Sequence, residues 1–400
     1  MDHPEPVEGL EVRVRRARQR AGWTQAELAR RAGLSRAGVG AIEAGRVSPS
    51  TAAALALAAA LGTRVESLFR LAGSGDPVDE PSAWRWFRPP PIGRSVRFWW
   101  AEIGGHWIRI PTEPGPRGVM EHDGVGTAGD RKTTETGPDP AMQARARTTL
   151  VLAGCDPAAG ILAARIEAES GVRVLCLERS SGRGLDLLQR SMVHAAGTHL
   201  AGPEAIDGMD ANARAVGTLL GRSVTDGAPS ESIDDDAYCL LPTVEWDCGL
   251  AIDPRRRIRS AAGAARASLR WIGRDPGSGA ALTLSAVLGR TPELPHVARD
   301  HAGVVAAVRG GWADAGPCVR LAAEDAELGF LTVHREPYEW CVRRETLGDD
   351  RLIALLAAVR SPAYHRAVAA LPGHAPVADQ SLRPVPLDRV AQSSPVADPK

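Results

Sequence analysis

The chain has 400 residues, which at about 100 to 200 residues per domain predicts two or three domains. Its 48 basic and 48 acidic residues cancel, so no overall charge draws it to polyanions or to membranes. The only lysines are Lys132, in a polar glycine-rich stretch, and Lys400, the last residue. A phosphate-binding loop, a pyridoxal phosphate Schiff base and a Ser-Lys dyad all need a lysine in a structured site and are therefore excluded.

The six cysteines show no CxxC pair, and no histidine cluster lies at ligand spacing beside them. The sequence therefore signals neither a zinc site nor a redox motif, and we expect no metal and no cofactor. The N-terminus lacks the apolar stretch of a signal peptide, and the alanine-rich run 51–61 falls short of the roughly 20 residues that span a membrane. These features predict a soluble cytoplasmic protein with no membrane partner.

The segment 10–50 is basic, with nine arginines against three glutamates. A surface that faces DNA phosphates has this composition, and so does an ordinary solvated helix face. Thr24 and Glu27 form a capping box that starts a second helix over 25–31, after a first helix that Gly22 ends. The residues that recur at helical spacing in the first helix are Leu10, Val14, Ala17 and Ala21.

Three further helices are predicted. Ser35 caps a third helix that Gly45 ends. Ser50 starts a fourth helix, and Thr63 with Glu66 forms a second capping box that starts a fifth. The residues expected to face the core are Val39 and Ile42 in the third helix and Leu55, Ala58 and Leu61 in the fourth.

The segments TQAELARRAGLSR at 24–36 and AIEAGR at 41–46 resemble the helix-turn-helix family of phage repressors and Cro. The resemblance covers roughly residues 10–70 and implies DNA binding, with the third helix in the major groove. It implies that Gln25 meets a phosphate. Of the three residues that it turns towards the bases, only Arg36 can make a bidentate contact, most favourably to guanine; the other two are Ala37 and Ala41. The residues that the resemblance assigns to the DNA surface are Thr24, Gln25, Ser35, Arg36, Ala37, Gly40, Ala41 and Arg46.

The resemblance also implies a buried ion pair between Arg18 and Glu43 that ties the first helix to the third, the alternative being two exposed charges. Gly38 and Gly40 depart from the family pattern, since each lowers helix stability by about 1 kcal/mol relative to Ala. The third helix is therefore expected to fray until DNA orders it, or to lie closer to the floor of the groove.

Five of the ten tryptophans lie within residues 84–107. The runs 94–103 and 106–110 flank Gly104-Gly105, which predicts a β-hairpin with a primed turn because both glycines can take a positive φ. A lone hairpin is marginal in water, so we expect it to pack on a neighbouring domain or a second copy, the alternative being a platform that stacks nucleobases. Residues 112–144 are rich in Pro, Gly and Thr and are predicted to be mostly linker.

From residue 148 onward, short apolar runs alternate with helical stretches. Strands at 149–153, 172–177 and 196–201, with helices at 157–169 and 185–194 between them, form a βαβαβ series that implies a parallel sheet. A second set follows the segment 238–252, with strands at 269–273, 313–318, 328–333 and 339–343 and with helices that begin near Gly279 and Val304. Helices over 349–359 and 362–371 close the domain.

Three turns between strands and helices place small or hydroxyl residues where the helices begin: GCDP at 154–157, SSGRG at 180–184 and DPGSGA at 275–280. Helix N-termini attract anions, although Ser and Gly are also ordinary cap residues. Together with AGTHLAG at 196–202, WDCGLAI at 246–252, GGWADAG at 310–316 and RSPAYHRAVAAL at 360–371, these turns are similar to the periplasmic-binding-protein-like domain that is fused to bacterial helix-turn-helix regulators. Relatives of that domain include molybdate-type solute receptors.

This second resemblance covers about residues 148–373 and implies two lobes that close on a small ligand. Cys155 stands where a hydroxyl or a histidine is expected, which leaves the identity of the ligand open; a tetrahedral oxyanion, similar to molybdate, is the first expectation. The residues that the resemblance assigns to the ligand site are Cys155, Asp156, Ser180, Ser181, His199, Ser278, Gly279, Gly316 and Cys318.

The sequence thus predicts a multidomain protein with an all-α helix-turn-helix head over 1–72, a small Trp-rich β connector over 73–147, a two-lobed α/β periplasmic-binding-protein-like domain over 148–376 and a disordered tail over 377–400. The predicted function is a ligand-responsive transcriptional regulator that binds a double-stranded DNA operator as a homodimer. Two alternatives stay open: a ligand-independent scaffold or antitoxin-like protein, and an enzyme with a site at Asp156 and His199. The lack of GxSxG, HExxH and phosphate-loop motifs argues against the enzyme.

Overall fold

The computed structural model describes residues 10–12, 14–20, 23–61, 65–71, 84–88, 94–113, 121–127, 138–203, 208–223 and 237–386. The chain divides into two compact units, Met1–Glu80 and Pro81–Lys400. None of the helices in the described ranges combines the length and the apolar character needed to cross a membrane.

The first unit is the predicted bundle of five short helices, with one small addition. The helices are α1 Val14–Arg20, α2 Gln25–Ala32, α3 Arg36–Glu43, α4 Thr51–Ala60 and α5 Val65–Leu68. Strand β1, Leu10–Val12, pairs antiparallel with β2, Phe69–Leu71. The helical spacing predicted Leu10 in the first helix, but this residue lies in strand β1.

The caps of α2, α3 and α4 are the hydroxyls that the sequence indicates, because each accepts a hydrogen bond from a backbone N–H three residues later: Thr24 from Glu27, Ser35 from Gly38 and Ser50 from Ala53. The predicted capping box at Thr63 lies outside the described residues. The predicted inward face of α4 is wrong at Leu55, which is 57% exposed, while Leu57 is fully buried. The sequence TAAALALAAA has no polar side that would fix which face turns inward.

The Trp-rich region forms a four-stranded sheet in the order β3-β5-β4-β6. Its strands are β3 Arg85–Trp86, β4 Ser95–Ile103, β5 His106–Pro111 and β6 Gly124–Thr127. The predicted hairpin of β4 and β5 is confirmed, and both turn glycines have a positive φ, 58° at Gly104 and 75° at Gly105. The expected linker 112–144 is wrong in part, since it contributes β6 and the start of helix α6, Pro140–Arg147.

The remaining chain builds two lobes joined by two long strands. Lobe one consists of β7 Thr149–Gly154, α7 Ala159–Ser170, β8 Arg173–Glu178, α8 Ser181–Gln189, β9 Ala195–Thr198 and α9 Gly208–Ser223, followed by the long strand β10 Tyr238–Ile252. Lobe two consists of α10 Ala261–Arg266, β11 Gly273–Arg274, α11 Gly279–Leu288, β12 Val297–Ala298, α12 His301–Arg309, β13 Ala315–Val319 and α13 Arg320–Glu324. The chain continues through the long strand β14 Gly329–Arg343, α14 Asp350–Val359, α15 Pro362–Ala369, β15 His374–Pro376 and β16 Arg383–Pro384.

The sheet topology explains why the lobes meet where they do. In lobe one β7 pairs parallel with both β8 and β9, as the βαβαβ pattern predicts. Strands β10 and β14 pair antiparallel over their whole length; β14 joins lobe one through β9, and β10 joins lobe two through β13. The middle of this strand pair, near Trp246 and Glu336, therefore lies at the junction of the lobes.

The disordered tail was predicted to begin at residue 377, but the fold continues beyond that residue. Residues 374–376 and 383–384 both pair with β10. Val385 is fully buried, and the Arg383 guanidinium contacts the buried carboxylate of Glu339 at 2.5 Å. The chain is therefore part of the fold as far as these contacts reach, and residues 387–400 of the predicted tail lie outside the described residues. Helix α9, which the sequence analysis did not predict, packs beside α8.

One face of the Trp-rich sheet packs on lobe one. This agrees with the prediction that the hairpin packs on a neighbouring domain. Trp99, Ile103 and Ile108 share a buried core with Leu177 and Leu188 of lobe one. The other face, which carries Phe98, Trp100 and Trp107, packs with Ala146 of α6.

A buried histidine ties this sheet to lobe one. The Val151 N–H donates to His194 Nδ1 at 2.9 Å, and His194 Nε2 lies 3.2 Å from the Glu102 carbonyl oxygen. These two contacts require Nδ1 to be unprotonated and Nε2 to donate, so the neutral ring satisfies both. Burial, together with the nearby Arg351 charge, lowers the pKa of His194 from 6.5 to about 3.

Acid should therefore weaken the second unit through His194. The unfolded chain takes up a proton as the pH falls below 6.5, while the folded state stays neutral until the pH nears 3, so stability is lost within this window. At about 1.4 kcal/mol per pH unit, we expect a loss of about 2 kcal/mol between about pH 6.5 and about pH 5. Urea titrations followed by Trp fluorescence measure it, and His194→Gln, which cannot titrate, should show a shallower pH slope than the parent; equal slopes would contradict the assignment.

Candidate functional site

Several predicted DNA-contact residues of the head are exposed. They are Arg36 and Ala37 at the start of α3, together with Thr24, Ser35 and Arg46. Gly40 and Ala41 are half-buried on the next turn of the helix. Gly38 and Gly40 both lie within α3, so neither glycine interrupts the helix.

Arg18 and Glu43 form an ion pair inside the head. Arg18 Nε lies 2.6 Å from Glu43 Oε1, and their side chains are 11% and 2% exposed. Gln25 Nε2 donates to the other carboxylate oxygen at 2.9 Å. Gln25, which the resemblance assigns to a phosphate, therefore also fixes α2 against α3. An ideal Cβ at Gly40 would lie 3.8 Å from the Gln25 amide, which is an ordinary van der Waals contact, so an alanine would also fit there.

The two predicted turns that begin α8 and α11 do face each other, and they are bonded together. The Gly182 N–H donates to the Gly277 carbonyl oxygen at 3.0 Å. Ser180 Oγ donates to Asp275 Oδ2 at 2.9 Å, and Arg183 Nε donates to the same oxygen at 2.5 Å. A carboxylate from lobe two thus lies at the turn that begins α8, where the sequence analysis expected an external anion.

The lobes also contact each other closely at Gly279. An ideal Cβ at Gly279 would lie 1.9 Å from the His199 carbonyl oxygen, so only glycine fits at the start of α11 in this arrangement. Ser278 caps the helix by accepting from the Ala281 N–H, and Ser181 Oγ accepts from the His199 N–H at 3.2 Å. The predicted serines therefore hold the two turns and the His199 backbone in place.

His199 lies at the centre of a buried polar cluster. Its Nε2 atom is 3.1 Å from Cys155 Sγ, and its Nδ1 atom is 2.8 Å from Glu336 Oε1. The Cys248 thiol donates to the same Glu336 oxygen at 2.9 Å. Cys155 and His199 follow β7 and β9 at the carboxyl edge of the parallel sheet, where binding sites of open α/β sheets lie, while Cys248 and Glu336 come from the middle of the long strands.

The charges in this cluster are set by burial and by the close contacts. Burial lowers the pKa of His199, but the Cys155 sulfur and the Glu336 carboxylate raise it by more, to about 10. Burial raises the pKa of Glu336, and the His199 charge outweighs it and holds that pKa well below its ordinary value. An imidazolium and a carboxylate therefore face each other in the interior.

The lobe-two side of the cluster carries His301 and Arg274. Arg274 Nη1 lies 3.0 Å from His301 Nδ1, and burial followed by the Arg274 charge holds the pKa of His301 well below its ordinary value. Arg274 is 3% exposed, and its Nε and Nη2 atoms have no hydrogen-bond partner among the described residues. A cavity of about 400 Å³ adjoins this side, with Cys155 and His301 in its wall and the exposed Arg309 and Asp325 at its rim.

The other predicted ligand residues have structural contacts. Asp156 Oδ1 accepts from the Ala158 N–H at 2.8 Å, and His199 pairs with Glu336 and not with Asp156. Gly316 and Cys318 are buried in β13; Cys318 Sγ lies 4.0 Å from the His301 carbonyl oxygen.

Sequence reasoning missed five residues of the site: Cys248, Arg274, Asp275, His301 and Glu336. Three of them lie in segments that carry the second resemblance: Cys248 in WDCGLAI, and Arg274 and Asp275 at the start of RDPGSGA. The resemblance marked these segments but did not identify these residues as part of the site. The remaining two, one at the start of α12 and one in the middle of β14, carry no local signal.

Two family profiles match the chain in separate regions. One, described as Helix-turn-helix, matches residues 14–68, and the other, described as PBP superfamily domain, matches residues 163–360. The chain carries a helix-turn-helix domain and a PBP superfamily domain. Both resemblances seen in the sequence are thereby confirmed, as is the architecture of an all-α head followed by a two-lobed α/β domain. Among curated proteins no sequence relative matches the chain.

Solved structures match part of the chain at low sequence identity. A phosphate ABC transporter substrate-binding protein with bound phosphate from Clostridium perfringens is 10% identical, with 56% of this chain and 99% of that chain covered and a TM-score of 0.40. A phosphate transport receptor from Vibrio cholerae is 9% identical, with 56% and 98% covered and a TM-score of 0.37. The regulatory domain of a LysR family regulator from N. meningitidis is 11% identical, with 57% and 99% covered and a TM-score of 0.36.

Adding a methyl group at Gly279 should separate the lobes. Gly279→Ala places a Cβ against the His199 backbone, and we expect the unfolding free energy of the PBP superfamily domain to fall by about 1 to 3 kcal/mol, as overpacking does elsewhere. Hydrogen exchange at 197–200 and 277–282 should speed up at the same time. Gly160→Ala in α7, where a Cβ meets nothing within 4 Å, is the matched control. Unchanged exchange and stability in Gly279→Ala would contradict the closed contact.

Proposed function

We propose that this protein is a ligand-responsive, DNA-binding transcriptional regulator. The observation that carries the proposal is the pairing of a helix-turn-helix domain with a PBP superfamily domain whose lobes meet around a buried polar cluster. Such a protein binds and does not catalyse, and its partner DNA lies in the cytoplasm.

The DNA-binding part of the proposal rests on the exposed start of α3. Arg36 is exposed there beside two alanines, and the arginines that flank the helices supply charge for phosphate contacts. The Arg18–Glu43–Gln25 network holds α1, α2 and α3 together, so the recognition surface is supported from inside the head. A homodimer on an inverted repeat, with half-sites about one helical turn apart, supplies the base contacts that a single head lacks.

The ligand part of the proposal rests on Arg274. A buried guanidinium with two nitrogens that find no partner in the described part of the chain is unfavourable, and a small anion such as an oxyanion supplies acceptors for them. A molybdate-like oxyanion is the first candidate. The Asp275 carboxylate at the start of α8 opposes an anion at that turn, so the anion is assigned to the Arg274 side and not to the serine turns.

Regulation requires that the ligand binds the closed and open lobes unequally and that the two states favour different spacings of the heads. A second candidate function, a ligand-independent DNA-binding scaffold or antitoxin-like protein, is favoured by the direct bonding of Ser180, Arg183 and Asp275, which joins the lobes through the protein's own side chains.

Arg36→Ala should weaken specific DNA binding by about 1 to 3 kcal/mol, since it removes the only long donor among the base-facing positions. Binding to a random duplex should change little. Selection of an operator from a random pool, followed by footprinting and titration of both proteins, measures the effect. A single asymmetric half-site bound tightly by a monomer, or equal losses on specific and random DNA, would contradict the assignment.

An oxyanion that binds at Arg274 should raise the melting temperature of the second unit, because a ligand stabilises the state that it binds by RT ln(1 + [L]/Kd). The panel is phosphate, sulfate and molybdate, each at fixed ionic strength. Arg274→Gln should lose the shift, and Arg335→Gln, which removes an arginine that is 42% exposed on β14, should keep it. No shift with any oxyanion, in a protein that still binds its operator, favours the ligand-independent scaffold or a ligand of another class.

A further inference from the structure

The cluster around His199 contains two overlapping sets of metal-ligand side chains. The sets are Cys155, His199 and His301, and His199, Cys248 and Glu336; within each set the candidate donor atoms lie within 4.8 Å of one another. All five residues are buried. Sulfur and imidazole donors in one compact group are the ligands that Zn²⁺ and related thiophilic cations prefer.

We propose that Cys155, His199 and His301 bind a thiophilic divalent cation such as Zn²⁺ between the two lobes. Cys155 and His199 belong to lobe one and His301 to lobe two, so a bound ion links the lobes directly. The regulatory meaning of this site rests on the proposed function, whereas cation binding itself does not depend on DNA.

The contacts of the two His199 ring nitrogens indicate that the ion binds at Nε2, next to Cys155. Nε2 faces Cys155 Sγ at 3.1 Å, while Nδ1 is bonded to Glu336 at 2.8 Å. A metal-bound imidazole ordinarily donates its second N–H to a carboxylate, which fixes the ring and its tautomer. Glu336 accepts this hydrogen bond from His199, so it is a positioning residue. Cys248 donates to the same carboxylate oxygen and so supports Glu336.

His301 completes the set from lobe two. Its Nε2 atom is buried and has no hydrogen-bond partner among the described residues, so this nitrogen is available to a ligand. The cavity of about 400 Å³ has both Cys155 and His301 in its wall and reaches the exposed Arg309, which provides a path for the ion and room for a water as fourth ligand.

Binding of a divalent cation is coupled to proton release, because coordination requires the Cys155 thiolate and an unprotonated His199 Nε2. The neutral His301 ring coordinates through Nε2 with its proton on Nδ1, where Arg274 now lies at 3.0 Å, so that contact must be given up. Arg274 therefore opposes the cation while it favours an anion, and its removal separates the two ligands.

Cobalt is the probe for the test, since a thiolate bound to Co²⁺ gives a charge-transfer absorption band that reports sulfur ligation. The full-length protein, purified with reductant and stripped with a chelator, is titrated with Co²⁺ and then with Zn²⁺. We expect one equivalent of Co²⁺ to produce the band and Zn²⁺ to abolish it. Cys155→Ser should remove the band, and His301→Ala should weaken Co²⁺ binding at least about tenfold.

Three variants distinguish this site from its neighbours. Cys248→Ser keeps a hydroxyl beside Glu336 and should retain the band. Glu336→Gln should retain the band with about 10 to 100-fold weaker binding, which is the signature of a positioning residue and not of a ligand. Arg274→Gln should bind Co²⁺ at least as tightly as the parent protein. Melting curves without metal confirm that each variant is folded.

The absence of a band in the folded parent protein would overturn the proposal. A band that survives in Cys155→Ser and disappears in Cys248→Ser would also overturn it, because the ion would then lie on the Nδ1 side and would not join the lobes. Operator footprinting of the same samples keeps the two proposals apart. Loss of Co²⁺ binding with an intact footprint refutes this site alone, and Co²⁺ binding without any footprint on selected DNA refutes the proposed regulator alone.

Discussion

The buried pair of His199 and Glu336 is the interaction on which the second unit depends. Removing an imidazolium and a carboxylate from water is costly, and their attraction offsets that cost only when other donors satisfy them. Glu336 takes its further hydrogen bond from Cys248, and His199 is enclosed by Cys155 on lobe one and by Gly279 on lobe two. Because the pair is buried where the two lobes meet, little water screens the attraction between the two charges.

The Trp-rich sheet packs against lobe one and shares its core. Its inner face shares the core of the lobe, and Arg173 joins it to lobe one by donating to the Asp123 carboxylate at 2.7 Å and to the Trp100 carbonyl oxygen at 2.8 Å. On its outer face the guanidinium of Arg109 is buried among aromatic rings, 3.9 Å from the centre of Trp84 and 4.7 Å from that of Trp100. Burial lowers the pKa of Arg109 to about 10, so the side chain stays charged at neutral pH, and the negative faces of the rings stabilise that charge. Trp100 is buried and Trp84 is half-buried, so both rings pack within the protein instead of forming an open platform for nucleobases.

Local signals predicted local structure well, and the candidate site is not local. The helix caps of the head and the glycine turn of the hairpin depend on residues within three positions of each other, so sequence spacing alone identifies them. The sequence did not predict which face of α4 is buried, because this helix has almost no polar residues to mark its outer side. Leu55 was therefore predicted to be buried, whereas it is exposed. The cluster joins Cys155 to His199 across 44 residues and His199 to Glu336 across 137, and each residue type occurs elsewhere in the chain for ordinary reasons. No spacing rule connects such residues, because the pairing of β9 with β7 and with β14 brings them together.

A ligand bound between the lobes would contact both of them. A ligand shifts a two-state equilibrium only by its difference in affinity for the two states. A molecule that contacts one lobe alone binds the open and closed forms with nearly the same contacts, so it moves the equilibrium little. His301 lies on α12 of lobe two, and Cys155 and His199 lie at the edge of the lobe-one sheet, so a ligand that needs all three can be satisfied only when the lobes are closed. Coordination bonds are short and directional, which makes this difference in affinity larger for a metal ion than for an anion that Arg274 could hold from lobe two alone.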